Sequence, residues 1–220
     1  MLIESFAAPM FATNCWVLAT GKGAECIVID PGMPDVSHQL SAILEEYALK
    51  PVAVLATHGH VDHTFSIRPI ADGYEIPAYI HSQDRGSLIH PQRWVSPEFA
   101  ATLEAMEFAE PADVRELRNG EVIEIVGLQI TTIHAPGHTR GSVMFEVNNE
   151  VLVSGDVLFA GSIGRTDQPT GSAKDMDETL RKKVLPLPDH LQVLPGHGRA
   201  TTMANERKNN PYLNSIKGRY

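Results

Sequence analysis

The 220-residue chain is poor in several things at once: it has two cysteines, 6% aromatic residues, and 18 lysines and arginines against 27 acids. Cys15 and Cys26 each lie in an apolar, strand-like segment, which fits reduced buried thiols and excludes a disulfide framework. A net charge of -9 with no block of lysines or arginines gives a field that repels a polyanion, so nucleic acid is not an expected partner. No apolar run is long enough to cross a bilayer, and Met1–Pro9 lacks a basic segment followed by a long apolar one. Neither a membrane partner nor export is expected, and the expected compartment is the cytoplasm. With 43% hydrophobic and 20% charged residues the composition is that of a soluble globular protein, and residues 1–220 are read as one domain.

Periodicity supplies an order of elements. Cys15–Ala19 and Cys26–Asp30 are short apolar runs around a turn at Thr20–Gly23, predicting strands. Apolar positions 36, 40, 43, 44 and 47 predict a helix over Val36–Leu49, and Val52–Ala56 predicts a further strand. A helix over Thr64–Ala71 and a strand at Ala78–Ile80 follow. Residues 82–117 change character, with Pro91, Pro97, Pro111, an exposed Trp94 and an amphipathic stretch carrying Phe99, Leu103 and Met106. This segment is read as a lid or insertion.

Strands return at Val122–Val126, Leu128–Ile133, Ser142–Val147 and Val151–Ser154, with Asn148-Asn149 as a hairpin turn. A helix over Lys174–Val184, a strand at Leu191–Leu194 and a helix at Met203–Asn209 complete the order. Two sheets packed face to face with helices outside would satisfy this α/β pattern.

What the chain has in quantity is histidine, ten in all. His58-Gly-His-Val-Asp-His63 places His58, His60, Asp62 and His63 directly behind an apolar strand. Alternate residues of an extended segment point the same way, so His58 and His60 can converge on one ion while Asp62 and His63 aim at a neighbouring point. Imidazole and carboxylate without cysteine are ligands for zinc, manganese or iron in an open catalytic site, not a structural thiolate site. Three more ligand-type residues follow a glycine where an apolar strand runs out: His138, Asp156 and His197. His38, His81, His90, His134 and His190 lie outside these motifs and are read as surface or capping residues.

These blocks resemble the metallo-β-lactamase superfamily, and its glyoxalase II-like hydrolases more than its lactamases. The resemblance rests on Thr57–His63, Ala135–Val143, Gly155–Asp167 and Pro195–Gly198. It implies an αββα sandwich of two mixed sheets with helices on both outer faces. It also implies two divalent metal ions, zinc first with iron or manganese as alternatives: His58, His60 and His138 on one, Asp62, His63 and His197 on the other, and Asp156 bridging. Two cations about 3.5 to 4 Å apart repel, and an anion between them offsets that repulsion. Lactamases of the superfamily lack such a bridge, so Asp156 turns the reading away from a lactamase.

The function so implied is hydrolysis of an S-(hydroxyacyl) thioester such as S-lactoylglutathione, with Asp62 also orienting the nucleophile or moving its proton. Thiolates leave readily near neutral pH, so little is asked of a general acid. Arg165, in a glycine-rich loop, could bind a substrate carboxylate or pair with Asp167. Asp30, at a strand end, could stand behind a metal ligand, as could Thr57 and His134. Typical glyoxalase II enzymes carry a further C-terminal helical domain that grips glutathione, whereas 23 residues follow His197 here (220 less 197), which leaves the thiol open.

The rivals are a lactone or ester hydrolase, and a mononuclear-iron persulfide dioxygenase that shares the Gly164–Asp167 wording and would use His58, His138 and Asp156. A metal-binding module without catalysis is a third. Beyond a small-molecule substrate, the expected assembly is a monomer or small homo-oligomer.

Overall fold

The computed structural model describes residues 1–217, and its framework follows from the alternation of side chains along strands. Strand β1 (Leu2–Ala7) forms an edge next to β2 (Asn14–Ala19), β3 (Glu25–Ile29) and β4 (Lys50–Leu55). In β2 to β4, Cys15, Val17, Cys26, Val28 and Val54 pack into one apolar cluster, while Trp16, Leu18, Ile27, Ile29, Ala53 and Leu55 pack into another. Strands buried on both faces read as unbroken apolar runs, which is why these three are visible in the sequence. β5 (Ala78–His81) and β6 (Val114–Leu117) complete a six-stranded sheet that is antiparallel from β1 to β3 and parallel from β3 to β6.

Helix α1 (Ser37–Tyr47) and, after the single turn α2 (Val61–Thr64), helix α3 (Ile67–Tyr74) cover the outer face of that sheet through Leu40, Leu44, Ile67 and Ile70. Helix α4 (Pro97–Leu103) belongs to the excursion between β5 and β6. Val36 to Leu49 had the expected spacing, but the helix stops at Tyr47 because Ala48 takes a left-handed cap conformation, φ 54°.

The second sheet runs through β7 (Val122–Ile125), β8 (Leu128–His134), β9 (Val143–Val147) and β10 (Val151–Gly155). A small hairpin, β11 (Leu158–Phe159) and β12 (Ser162–Ile163), precedes helix α5 (Ala173–Thr179), which continues as a wider turn over Leu180–Val184. β13 (Gln192–Pro195) then pairs parallel with β10, and β14 (Thr201–Thr202) closes the edge. Leu128, Ile130, Phe145 and Val153 face the first sheet. Met144, Leu152 and Val193 face α5, α6 (Met203–Asn209) and α7 (Pro211–Lys217). The layers are therefore helix, sheet, sheet, helix, as expected. Each fully buried aliphatic side chain in them is worth about 1.5–3 kcal/mol.

Asn148 and Asn149 both have positive φ, 54° and 52°, the mirror-image turn that suits the twist of β9 and β10. Three readings need correction. Residues 82–117 are not wholly an insertion, because Val114–Leu117 is β6, an edge strand whose Arg115 and Glu116 gave it no apolar signature. His81 is not a surface residue. It is buried at the end of β5, with its ring stacked on that of His134 at 4.2 Å and 8°. Trp94, read as exposed, is half-buried over Gly86.

Candidate metal centre

Five strand ends deliver the site. Asp30 follows β3, His58 to His63 follow β4, His138 follows β8, Asp156 follows β10 and His197 follows β13. The chain can turn sharply there because of its glycines. At Gly196 an added Cβ would collide with the Asp156 carboxylate and the His63 ring. Gly155, at φ 48°, lies as close against Thr57.

His58, His60 and His138 form the first group, all three buried. His60 Nδ1 is 3.1 Å from His58 Nε2 and 2.8 Å from His138 Nε2. Asp62, His63 and His197 form the second, with His63 Nε2 3.2 Å from His197 Nε2 and Asp62 Oδ2 3.6 and 3.4 Å from those two nitrogens. Asp156 stands between them. Its Oδ2 is 3.4 Å from His138 Nε2 in the first group and 3.5 Å from His197 Nε2 in the second, and its Oδ1 is 3.5 Å from His63 Nε2. All seven expected ligands are thus brought together.

This donor set fits divalent metal. Atoms bound tetrahedrally at about 2.0–2.1 Å lie about 3.3 Å from one another, and the ligand atoms here lie on either side of that value, from 2.8 to 3.6 Å apart. The fit is reinforced by a buried atom with no hydrogen-bond partner, Asp156 Oδ1, which lies between the two groups.

The opposite side of four of the five rings, all but His60, is held so that the inward nitrogen keeps its lone pair. His138 Nδ1–H donates to the Arg165 carbonyl at 2.8 Å and His197 Nδ1–H to the Phe11 carbonyl at 3.1 Å. Asp30 serves both groups. Its Oδ2 accepts from His63 Nδ1–H at 3.0 Å and from the Thr57 hydroxyl at 2.6 Å, while its Oδ1 accepts from the Thr57 amide at 2.7 Å. The Thr57 oxygen is in turn 3.1 Å from His58 Nδ1, whose proton it accepts. Asp30 and Thr57 therefore stand where the sequence placed them as supporting residues. His134 does not; its ring donates to the Arg140 carbonyl beside His81.

The two groups differ electrically. Burial, reinforced by neighbouring imidazoles, pushes His58 well below the ordinary histidine range and His60 down to about 3; His138, also driven by burial, falls to about 4. In the second group burial also disfavours charge on His63, but Asp156, Asp62 and Asp30 outweigh it and raise that ring to about 10. Burial opposes ionisation of Asp62, yet His63 and His197 hold its carboxyl below the usual carboxylate range. Burial pushes the Asp156 carboxyl up, against the pull of His63 and His197.

Asp84 was missed, because a lone acid at the foot of a presumed lid carries no motif. It is fully buried, accepting from the Gly59 and Gly141 amides at 2.8 Å each and from the Thr139 hydroxyl at 2.5 Å. It thereby ties the loop that presents His58 and His60 to the loop that presents His138.

A cavity of about 440 Å³ opens over the metal ligands, lined by Phe11, Val95, Ser96, Phe99, Arg165 and Gln168 in addition to the ligands themselves. Arg165 faces it while paired to both carboxylate oxygens of Asp167 at 2.7 and 2.8 Å. A substrate carboxylate at Arg165 would compete with Asp167.

Comparison with known proteins gives one family and a consistent group of relatives. Residues 8–197 match the family model described as the metallo-beta-lactamase superfamily. The chain is 41% identical over 223 residues to the uncharacterized protein Rv2581c of Mycobacterium tuberculosis, covering 98% of this chain and 99% of that one. It is 32% identical over 221 residues to the hydroxyacylglutathione hydrolase GloC of Haemophilus influenzae, covering 98% and 99%. Among solved structures, the BLEG-1 B3 metallo-beta-lactamase superposes with a TM-score of 0.83 at 33% identity over 96% of this chain and 99% of that one. TTHA1623 in a di-iron-bound form superposes with a TM-score of 0.77 at 30% identity, over 96% and 100%.

Proposed function

Since the chain belongs to the metallo-β-lactamase superfamily, we propose that it is a binuclear metal-dependent hydrolase of acyl thioesters, in the manner of glyoxalase II. The observation that carries this reading is Asp156 standing between two three-ligand groups, within 3.4–3.5 Å of nitrogens in both. A relative named as a hydroxyacylglutathione hydrolase supports it over nearly the full length of both chains, and the di-iron form of TTHA1623 supports a two-metal site.

His58, His60 and His138 would hold one ion, Asp62, His63 and His197 the other, and Asp156 both. The chemistry divalent ions supply at such a site is acidification of a shared water toward a pKa of about 7 and polarisation of an acyl oxygen. Asp62, whose Oδ2 is anchored by the Thr13 hydroxyl at 3.1 Å, would orient that water and take up its proton through the carboxylate. Water adds to the acyl carbon, the C–S bond breaks, and the sulfur leaves as a thiolate. Because a thiol of pKa about 8.5 needs little protonation to depart, the absence of an obvious acid among the cavity residues suits a thioester better than an amide. Zinc is the proposed metal, the cytoplasm the proposed compartment, and a small-molecule thioester the proposed partner.

The test is turnover of S-lactoylglutathione and other acyl thioesters by protein of measured metal content. Release of free thiol by chains carrying two ions is the expected result. One iron per chain together with sulfite from a persulfide would replace the reading with a dioxygenase, and turnover confined to lactones or simple esters would move it to an esterase.

A further inference from the structure

The wall of the cavity facing the metal ligands is aromatic, and it is built from two segments that are far apart in sequence. Phe11 lies in the loop between β1 and β2, and Phe99 lies in α4; their rings meet edge to face, with centroids 5.3 Å apart at 79°. Phe11 remains 52% exposed, more than Tyr74 or Tyr212, the other exposed aromatic side chains among the described residues.

Its backbone is held in an unusual way. Phe11 and Ala12 are consecutive left-handed residues, φ 64° and 54°, a conformation that non-glycine residues seldom take and that persists where the surroundings impose it. The surroundings here are the metal ligands. His197 donates to the Phe11 carbonyl, the Thr13 hydroxyl donates to Asp62, and the Met10 amide donates to the Met33 carbonyl at 3.0 Å. The loop that orients two ligands of the second group thus also aims the Phe11 ring across the mouth of the cavity. On the other side, Ser96 caps α4 by accepting from the Phe99 amide, and Phe99 packs with Val95 against the cluster of Met33, Val61 and Leu103.

Charge on the remaining lining is scarce. Arg165 is the one cation there among the described residues that is not a ligand histidine, and Asp167 already engages it on both oxygens. Gln168 and Ser96 are neutral. Nothing in that wall matches the two carboxylates of a glutathione arm, and a desolvated anion without a partner binds poorly.

We propose that Phe11 and Phe99 set substrate specificity, gripping an uncharged, apolar arm on the thiol of the thioester, so that the natural thiol is not a dicarboxylic peptide. This rests on the thioesterase reading above and narrows it. An arm lying against the two joined rings gains from burying apolar surface on both, which is sensitive to its length and polarity.

The experiment compares the lactoyl thioester of 2-phenylethanethiol with S-lactoylglutathione, using holoenzyme of measured metal content, in the natural chain and in Phe99→Ala and Phe11→Leu. The expected result is a kcat/KM at least about 10-fold higher for the phenylethyl thioester, with the substitutions shrinking that ratio toward one through KM while the metal content stays the same. S-lactoylglutathione as the better substrate, or a ratio unmoved by both substitutions, overturns the proposal and leaves the thioesterase reading standing. Failure of the fully loaded natural chain to cleave either thioester removes that reading, and this inference with it.

Discussion

The two halves of the metal centre are built from the same ring but in opposite electrical surroundings. The His58, His60 and His138 group is buried, holds no carboxylate of its own and drives its imidazoles toward neutrality. The Asp62, His63 and His197 group is less buried, at Asp62 and His197, and gathers acids, so that His63 is raised where the others are lowered. A neutral nitrogen pocket beside an anionic one gives two ions different grips, with Asp156 as the point where the difference is shared. Lone pairs facing each other in the first half are destabilising without a cation and stabilising with one, while in the second half a metal ion would take the place of the proton that the acids hold on His63.

Substituting the shared residue should break the comparison most severely. Asp156→Ala is expected to lower kcat/KM by more than about 100-fold and to weaken metal retention in both halves, because outer partners alone commonly cost about 10–100-fold. Metal analysis beside steady-state kinetics checks this, and retention of two ions with near-normal turnover would show that Asp156 joins nothing. Asp30→Asn comes next. Through His63 directly and His58 by way of Thr57, it should weaken metal binding in both halves by about 10–100-fold. Competition with a chelator of known affinity measures it.

Asp84→Asn should separate the halves. It grips only the loops of the first group, so a loss of about 10-fold in affinity is expected for one ion and none for the other. Equal weakening of both ions would put Asp84 in a merely global role.

The smallest effect lies outside the centre, where a fourth lowered histidine serves as a control. Burial, then the neighbouring His134, lowers His81 to about 4 from an unfolded value of about 6.5. Between those values the unfolded chain binds the extra proton, so His81 contributes stability that is lost as pH falls from about 6.5 toward 4. The melting temperatures of the natural chain and of His81→Gln, both metal-loaded, should therefore converge as pH falls through that window. A gap that widens with acid would contradict the stacked, neutral ring.

How much of this was legible in the sequence follows from what each residue does. Strands buried on two faces announce themselves, as at Ile27–Ile29 and Val151–Val153, and ligands announce themselves when they share a short motif or follow a glycine at a strand end. Edge strands are different. β6 carries Arg115 and Glu116 because its outer side meets water, so it was read as part of a lid. Asp84 and Phe11 were invisible for another reason: each acts through contacts 25 to 186 residues away in sequence, which no local spacing records. The pairing of Phe11 with Phe99 exists only once the β1–β2 loop and α4 are folded against the same cavity.

The central claim, two unlike metal positions joined by Asp156, is tested most directly by titrating metal-free protein with zinc in a calorimeter. The account predicts two ions per chain binding in resolved steps, with Asp156→Ala collapsing the curve. A single ion per chain at saturation, with full thioester turnover, would contradict it.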